Sequence, residues 1–319
     1  MFGYRSIFNT LLVLTLTGYY LEANAQDWKI ASEADRCPAK WGEGDQRGSA
    51  NMMTPVSVLA ALQLAKTGEV FELGEVLSTD PNESYINRGR VFNIYTKPTI
   101  PAAGRRVSSE ELVVTELGQV GTQLDGFAHQ LYGDSFYNCF KFEDIATRTG
   151  YKKLGVENIG SLISRGILID IAALKGVDMI EQDYEITLSD IHQALNRQNT
   201  KIESGDAVII NTGWGGNRGV NNDIYGTNTP GIGIESAQWL VEKQPILVGT
   251  DTCCVEFRSP ENRRLDVHSL LLIEQGIYMI ENMALEQIAK EKVYEFLFIV
   301  QPLKLKGATG SAVAPIAIR

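Results

Sequence analysis

The chain predicts an α/β fold, and three observations carry that expectation. Strands and helices alternate along its second half, and this alternation is the mark of α/β domains. The strand PILVGTDT (245–252) is a continuous apolar run of the kind buried on both faces. Turn chemistry such as Gly205-Asp206 separates the elements.

Taken in order, residues 26–60 read as an N-terminal extension, turn-rich from Gly42 to Gly48. Thr54-Pro55 then opens a helix to about Thr67, with Pro at the first helical position and Val58, Leu59, Leu62 and Leu64 at apolar spacing. FELGEVLS (71–78) alternates as a strand. Residues 79–105 form a Pro- and Asn-containing loop, placed to cover a site, and ELVVTEL precedes a further strand through 119–125. GILIDIAAL (166–174) is a buried strand followed by a turn. Thr187 with Asp190 starts a helix in capping-box fashion, and Leu188, Ile191 and Leu195 are its apolar stripe. AVIINT (207–212), YMIENM and EFLFIV are strands, and SAQWLVEK (236–243) is a helix. The chain shows no internal repeat and no low-complexity segment.

At 319 residues, with 44% hydrophobic and 21% charged residues, the chain can bury a sizeable core and does not have the composition of a disordered protein. A net charge of −10 and a pI near 5.0 exclude nucleic acid, whose phosphates need a basic face. The first 25 residues differ from the rest. Arg5, the apolar run LLVLTLTGYYL and Ala23-Asn24-Ala25 read as a secretory signal peptide cut before Gln26, leaving a periplasmic or secreted protein with no membrane segment. That compartment permits disulfides. Among Cys37, Cys139, Cys253 and Cys254, a Cys37–Cys139 bridge is one possibility, and the vicinal pair Cys253-Cys254 reads as buried free thiols.

Residues 119–129 concentrate the chemistry. Read as an extended strand, the segment puts Gln119, Gln123 and Asp125 on one side, the oxygen-rich arrangement a hard divalent cation asks for. His129 follows four residues after Asp125, in reach as a proton carrier. Glu281 stands among Met279, Ile280 and Met283, where a carboxylate is costly unless paired or ligating. Of the three histidines, His192 lies on the helix SDIHQAL and reads as a solvated helix residue. Trp41 and Trp214 read as packing residues, and Gly213-Trp214-Gly215-Gly216 as a strand-ending turn rather than a phosphate cradle. No Gly-x-Ser-x-Gly elbow is present.

Residues 119–129 resemble the signature of the metal-dependent cyclase/amidohydrolase family that includes bacterial kynurenine formamidases and isatin hydrolases, His-x-Gly-Thr-His-x-Asp-x-Pro-x-His. Gly121, Thr122, Asp125 and His129 match without a gap. Gln119 and Gln123 stand where the family has two metal-binding histidines, and Phe127 replaces the proline. Further echoes are WGEGDQRGSANMMTP (41–55), INTGWG (210–215), LVGTDT (247–252), VHSLLL (267–272) and the closing YEFLFIVQPLKLKGATGSAVAPIAI, with His268 and Glu281 in family-matched positions.

The resemblance implies a swivelling β/β/α cyclase-like fold, a single domain over 68–319 behind the signal peptide (1–25) and the extension (26–67), assembled as a homodimer or homotetramer. It implies a metal site of Gln119, Gln123, Asp125, His268 and Glu281, with Thr122 binding a water or fixing Asp125. The reaction it implies is hydrolysis of an amide, cyclic imide, formamide or lactone in a small molecule, with His129 as catalytic proton shuttle. The alternatives are a metal-assisted lyase or isomerase, and a non-catalytic small-molecule-binding protein. Two carboxamides in place of imidazoles favour manganese over zinc, with magnesium or calcium also suited.

Overall fold

The computed structural model describes residues 28–80, 82–86, 89–260 and 264–319, so the segment 1–25, read from the sequence as a signal peptide, lies outside the described residues. Nine strands form one mixed sheet in the order Val70–Glu72, Ile316–Ile318, Glu295–Val300, Leu162–Asp170, Ala207–Asn211, Leu247–Thr250, Tyr278–Glu281, Gln123–Asp125 and Gly310–Ala312. The central four, from Leu162–Asp170 to Tyr278–Glu281, are parallel, and the other pairings within this sheet are antiparallel.

Parallel neighbours need crossovers, and helices supply them. Ile171–Lys175 and Leu188–Gln198 link the first pair, Ile234–Lys243 the second, and a segment running from Asp266 through the π-helix Ser269–Gln275 the third. Because helices cover their faces, the parallel strands are apolar throughout: Ile167, Leu168, Val208, Ile209, Leu247, Val248 and Ile280 are fully buried. The capping box at Leu188–Gln198 forms as its sequence predicts, with Thr187 Oγ1 accepting from Asp190 N and Asp190 Oδ2 accepting from Thr187 N. His192 is exposed and packs edge-on against Trp239, as a solvated helix residue does.

Several boundaries differ from the sequence expectation. The Thr54-Pro55 helix stops at Leu62, and the strand expected over 71–78 pairs only at Val70–Glu72. Beyond Glu72 the chain leaves the sheet edge, and Glu75 pairs with buried Arg218. Asp170 ends its strand by capping the helix Ile171–Lys175, where a turn was expected. The loop expected over 79–105 contains a strand, Phe92–Thr96, paired with Glu111–Thr115 as a two-stranded arm that exposes Ile94, Tyr95, Leu112 and Val113.

Residues 28–67 pack against the sheet domain. Ala50 is fully buried, Ser49 N donates to Gly276 O at 2.7 Å, and Ser49 Oγ donates to Ile246 O at 2.6 Å. Cys37 and Cys139 are disulfide-bonded across 102 positions, which ties this segment to the short turn Tyr137–Cys139, while Cys253 and Cys254 are free. Closing a loop of that length stabilises by about 4 to 5 kcal/mol through the unfolded chain. Replacing both Cys37 and Cys139 with Ser should therefore lower unfolding free energy by several kcal/mol in non-reducing urea titrations; an unchanged midpoint would mean that the bond is not formed in solution.

Candidate metal centre

The centre lies where the carboxyl ends of two parallel strands meet an antiparallel neighbour, the usual place for a site in an open α/β sheet. Gln123–Asp125 is held between Tyr278–Glu281 and Gly310–Ala312, in a register that sets Gln123 opposite Glu281 and Asp125 opposite Met279. Directly opposed side chains touch, and Gln123 Nε2 donates to Glu281 Oε2 at 3.0 Å. Two glycines shape the approach. Gly121 adopts φ +66°, and at Gly126 an added Cβ would meet Thr309 O at 2.8 Å.

Asn282, at φ 56°, ends the strand Tyr278–Glu281 and locks the signature turn. Its carbonyl accepts from Thr122 Oγ1 at 2.6 Å and its Nδ2 donates to Gly121 O at 3.0 Å. Thr122 also accepts from Glu75 N at 2.8 Å. Its hydroxyl thus holds the turn and makes no bond to Asp125, although fixing Asp125 is one of the two roles expected of it from sequence. Phe127, where the family has proline, is buried and stacks on Tyr278 with centroids 4.3 Å apart, so the replacement fills a core slot.

Asp125, His268 and Glu281 converge, with one potential ligand atom from each within 4.8 Å of the others and all three buried. His268 Nε2 lies 3.9 Å from Asp125 Oδ2 and 3.3 Å from Glu281 Oε1. Those two carboxylate oxygens are buried without a hydrogen-bond partner. With the His268 imidazole beside them but no hydrogen bond made, two such oxygens are costly in a dry interior. A divalent cation shared among them removes that cost, so the residues present fit a metal.

His268 is oriented by Glu256, a buried carboxylate that the sequence reading missed. Glu256 Oε1 takes a short bond from His268 Nδ1, and Oε2 accepts from Val267 N at 2.9 Å, which leaves Nε2 facing Asp125 and Glu281. Carboxylate–histidine pairs of this kind fix the imidazole of metal sites. An acidic residue inside the buried run VGTDTCCVEF carries the same signal that singled out Glu281. Replacing Glu256 with Gln should weaken metal affinity about 10- to 100-fold in chelator competition, with the fold retained.

The electrostatics follow from three carboxylates around one imidazole. Burial, and then the neighbouring Asp125, push the Glu281 carboxyl up to about 7. Burial opposes a charge on His268, but Glu256 and then Glu281 outweigh it and hold its pKa well above the ordinary value.

Gln119 reaches the cluster, but not by strand alternation. It sits before the paired strand, on the turn that Gly121 closes, and its Nε2 donates to Asp125 Oδ1 at 3.3 Å. Both glutamines therefore point amide nitrogens at the carboxylates, so a coordinating oxygen would require the amide to turn over. His129 stands beside the cluster as expected, with Nε2 3.8 Å from Asp125 Oδ2 and Nδ1 3.3 Å from Gln119 Nε2. A cavity of about 290 Å³ opens onto these groups, lined also by Tyr85, Cys254 and Arg258. Neither Trp41 nor Trp214 lines it. Trp214 is buried against Tyr225 O, and Gly215 N is taken by Asp251, so the glycine-rich turn is structural. Among the described residues, no helix is long and apolar enough to cross a membrane.

Comparison with known proteins bears on the fold and the family. None of the curated proteins matches the chain significantly. The solved structure of a novel cyclase superposes with a TM-score of 0.81 at 30% identity, covering 91% of this chain and 100% of that one. Isatin hydrolase A from Ralstonia solanacearum superposes with a TM-score of 0.59 at 20% identity, over 84% of this chain and 98% of its own. A predicted metal-dependent hydrolase from Bacillus stearothermophilus gives 0.51 at 16%, over 79% and 98%. These neighbours share the cyclase-like fold that the sequence resemblance implied. The family model described as "Putative cyclase" matches residues 53–256, more than half of the chain. With the matched signature frame and the shared fold, the chain belongs to the cyclase family.

Proposed function

We propose that this protein is a metal-dependent hydrolase that opens an amide, cyclic imide, formamide or lactone in a small molecule. The observation that carries the proposal is the buried Asp125–His268–Glu281 cluster, with two unpartnered carboxylate oxygens facing one imidazole and His129 alongside. Similarity to isatin hydrolases and to predicted metal-dependent hydrolases supports the same reaction class.

A divalent cation held by Asp125, His268 and Glu281 would supply Lewis acidity to a carbonyl oxygen and to a water. The surrounding residues divide the remaining work. Glu256 fixes the His268 tautomer, and Gln123 fixes Glu281. His129 accepts a proton from the attacking water at one ring nitrogen and returns it to the leaving nitrogen or oxygen, so the products are a carboxylate and an amine or alcohol. Asp125, 3.8 Å away, stabilises the imidazolium formed between the two transfers.

Two carboxylates with one imidazole make an oxygen-rich donor set, to which Gln119 and Gln123 would add oxygens only on turning their amides over, and this favours manganese over zinc. The proposal includes export, supported by the signal-like residues 1–25 and by a disulfide of the kind that persists in oxidising compartments. It includes a homodimer or homotetramer, supported by the exposed apolar arm at Phe92–Thr96 and Glu111–Thr115. The decisive experiment pairs elemental analysis after dialysis against manganese, zinc, magnesium and calcium with a substrate screen in heavy-oxygen water. About one bound cation and one solvent oxygen in the product carboxylate are expected. Turnover without solvent oxygen would assign a lyase or isomerase, and a bound ligand without turnover a binding protein.

A further inference from the structure

We propose that Arg258 anchors a carboxylate of the substrate, so that the pocket selects small carboxylic acids carrying the hydrolysable group. The inference rests on the cluster being the reaction centre, and adds the substrate's charge to it.

Arg258 lines the same 290 Å³ cavity as Gln123, His268 and Glu281. The other arginine on that wall, Arg90, is paired with Glu116 at 3.3 Å. Arg258 has no carboxylate within ion-pair distance among the described residues; its side-chain partner is the Cys254 thiol, 3.3 Å from Nη1. That thiol is buried, and its bond to Cys253 together with burial keeps it protonated, so it does not neutralise the guanidinium. Arg165 is paired with Asp206, and Arg218 with Glu75 and Glu286, whereas half-buried Arg47 donates to the carbonyls of Ala50 and Ile159. A guanidinium has five donors in a planar fork, the geometry that takes a carboxylate through two parallel bonds. Arg258 leaves most of that capacity to whatever enters the cavity.

The backbone beneath it is fixed. Arg258 N donates to Thr229 O at 3.0 Å, and Phe257 N to Ile232 O at 3.1 Å. The guanidinium thus rises from a fixed backbone on the wall of a pocket that His268 and Glu281 also line. A ligand that presents a carbonyl to the cluster and a carboxylate to Arg258 matches both ends. The cavity lies at the small end of ligand pockets, which limits the substrate to a compact acid such as an N-acyl amino acid.

Calorimetry with hippurate and its primary amide, hippuramide, tests this, since the two differ in one charge and share the amide. Titrations are run on chelator-treated and manganese-loaded protein, for wild type, Arg258→Met and Arg258→Lys. Wild type should bind hippurate at least about tenfold tighter than hippuramide in both forms. Arg258→Met should bring that preference below about twofold with hippuramide binding unchanged, and Arg258→Lys should keep part of it. Should Arg258→Met not fold, Arg258→Lys must still show a reduced preference. Absence of hippurate binding, or a preference that survives in Arg258→Met, overturns the proposal. A preference present only with manganese and insensitive to Arg258 also overturns it, by assigning the carboxylate to the cation. Manganese retention is followed separately. A protein that holds no cation but still shows the Arg258-dependent preference fails the hydrolase reading and not this one.

Discussion

Glu281→Gln is expected to release the metal and, in the same stroke, to stabilise the chelated protein. Loss of one of two carboxylate ligands should weaken cation affinity at least about a hundredfold and abolish turnover. The stability effect has the opposite sign, and linkage explains it. Burial and Asp125 raise the folded-state pKa of Glu281 to about 7 from an ordinary value of 4.5. The fold therefore binds this proton more tightly than the unfolded chain does. The resulting stability is present in full below about 4.5 and is lost as pH rises to about 7. Above that the ionised carboxylate costs on the order of 3 kcal/mol, a cost that neutral Gln does not carry. His268 acts in the same direction. Its raised pKa contributes stability that is complete below the ordinary histidine value of 6.5 and is lost as pH climbs through the raised one.

Urea unfolding in chelator at pH 5 and pH 8 measures this. Wild type should lose stability between the two, and Glu281→Gln should lose less and be the more stable protein at pH 8. If Glu281 were only a structural partner of His268, the variant would be the less stable of the two at both pH values. Added manganese should restore the wild type and leave the variant unchanged.

His129→Ala is expected to lower turnover about a hundred- to ten-thousand-fold while the cation stays bound. The side chain is 21% exposed, so it meets both the cavity and the cluster, whereas His268 is committed to Glu256 and the cluster, and His192 lies exposed on a helix against Trp239. Because Asp125 lies 3.8 Å from it and belongs to the cluster, metal content must be measured alongside rate. Metal lost with turnover kept would reverse the assignment and make His129 a ligand-supporting residue.

The amino-acid sequence by itself carried the α/β class, the buried core strands and the capping box at Thr187, because these depend on local periodicity and on side chains three positions apart. It also marked Asp125, His129, His268 and Glu281: a matched signature frame, and a carboxylate within an apolar strand, are both visible in one dimension. Tertiary structure decided the rest. Glu256 became the partner of His268 only when the strand end at Thr250 and the segment beginning at Asp266 came side by side. Gln119 entered the cluster across the Gly121 turn, which an extended reading of residues 119–125 could not anticipate. The arm at Phe92–Thr96 was hidden because its pairing with Glu111–Thr115 spans a Pro-containing loop that reads as irregular. Arg258 gained its meaning from its place on the cavity wall, with no carboxylate at ion-pair distance among the described residues, a property of packing that no spacing along the chain encodes.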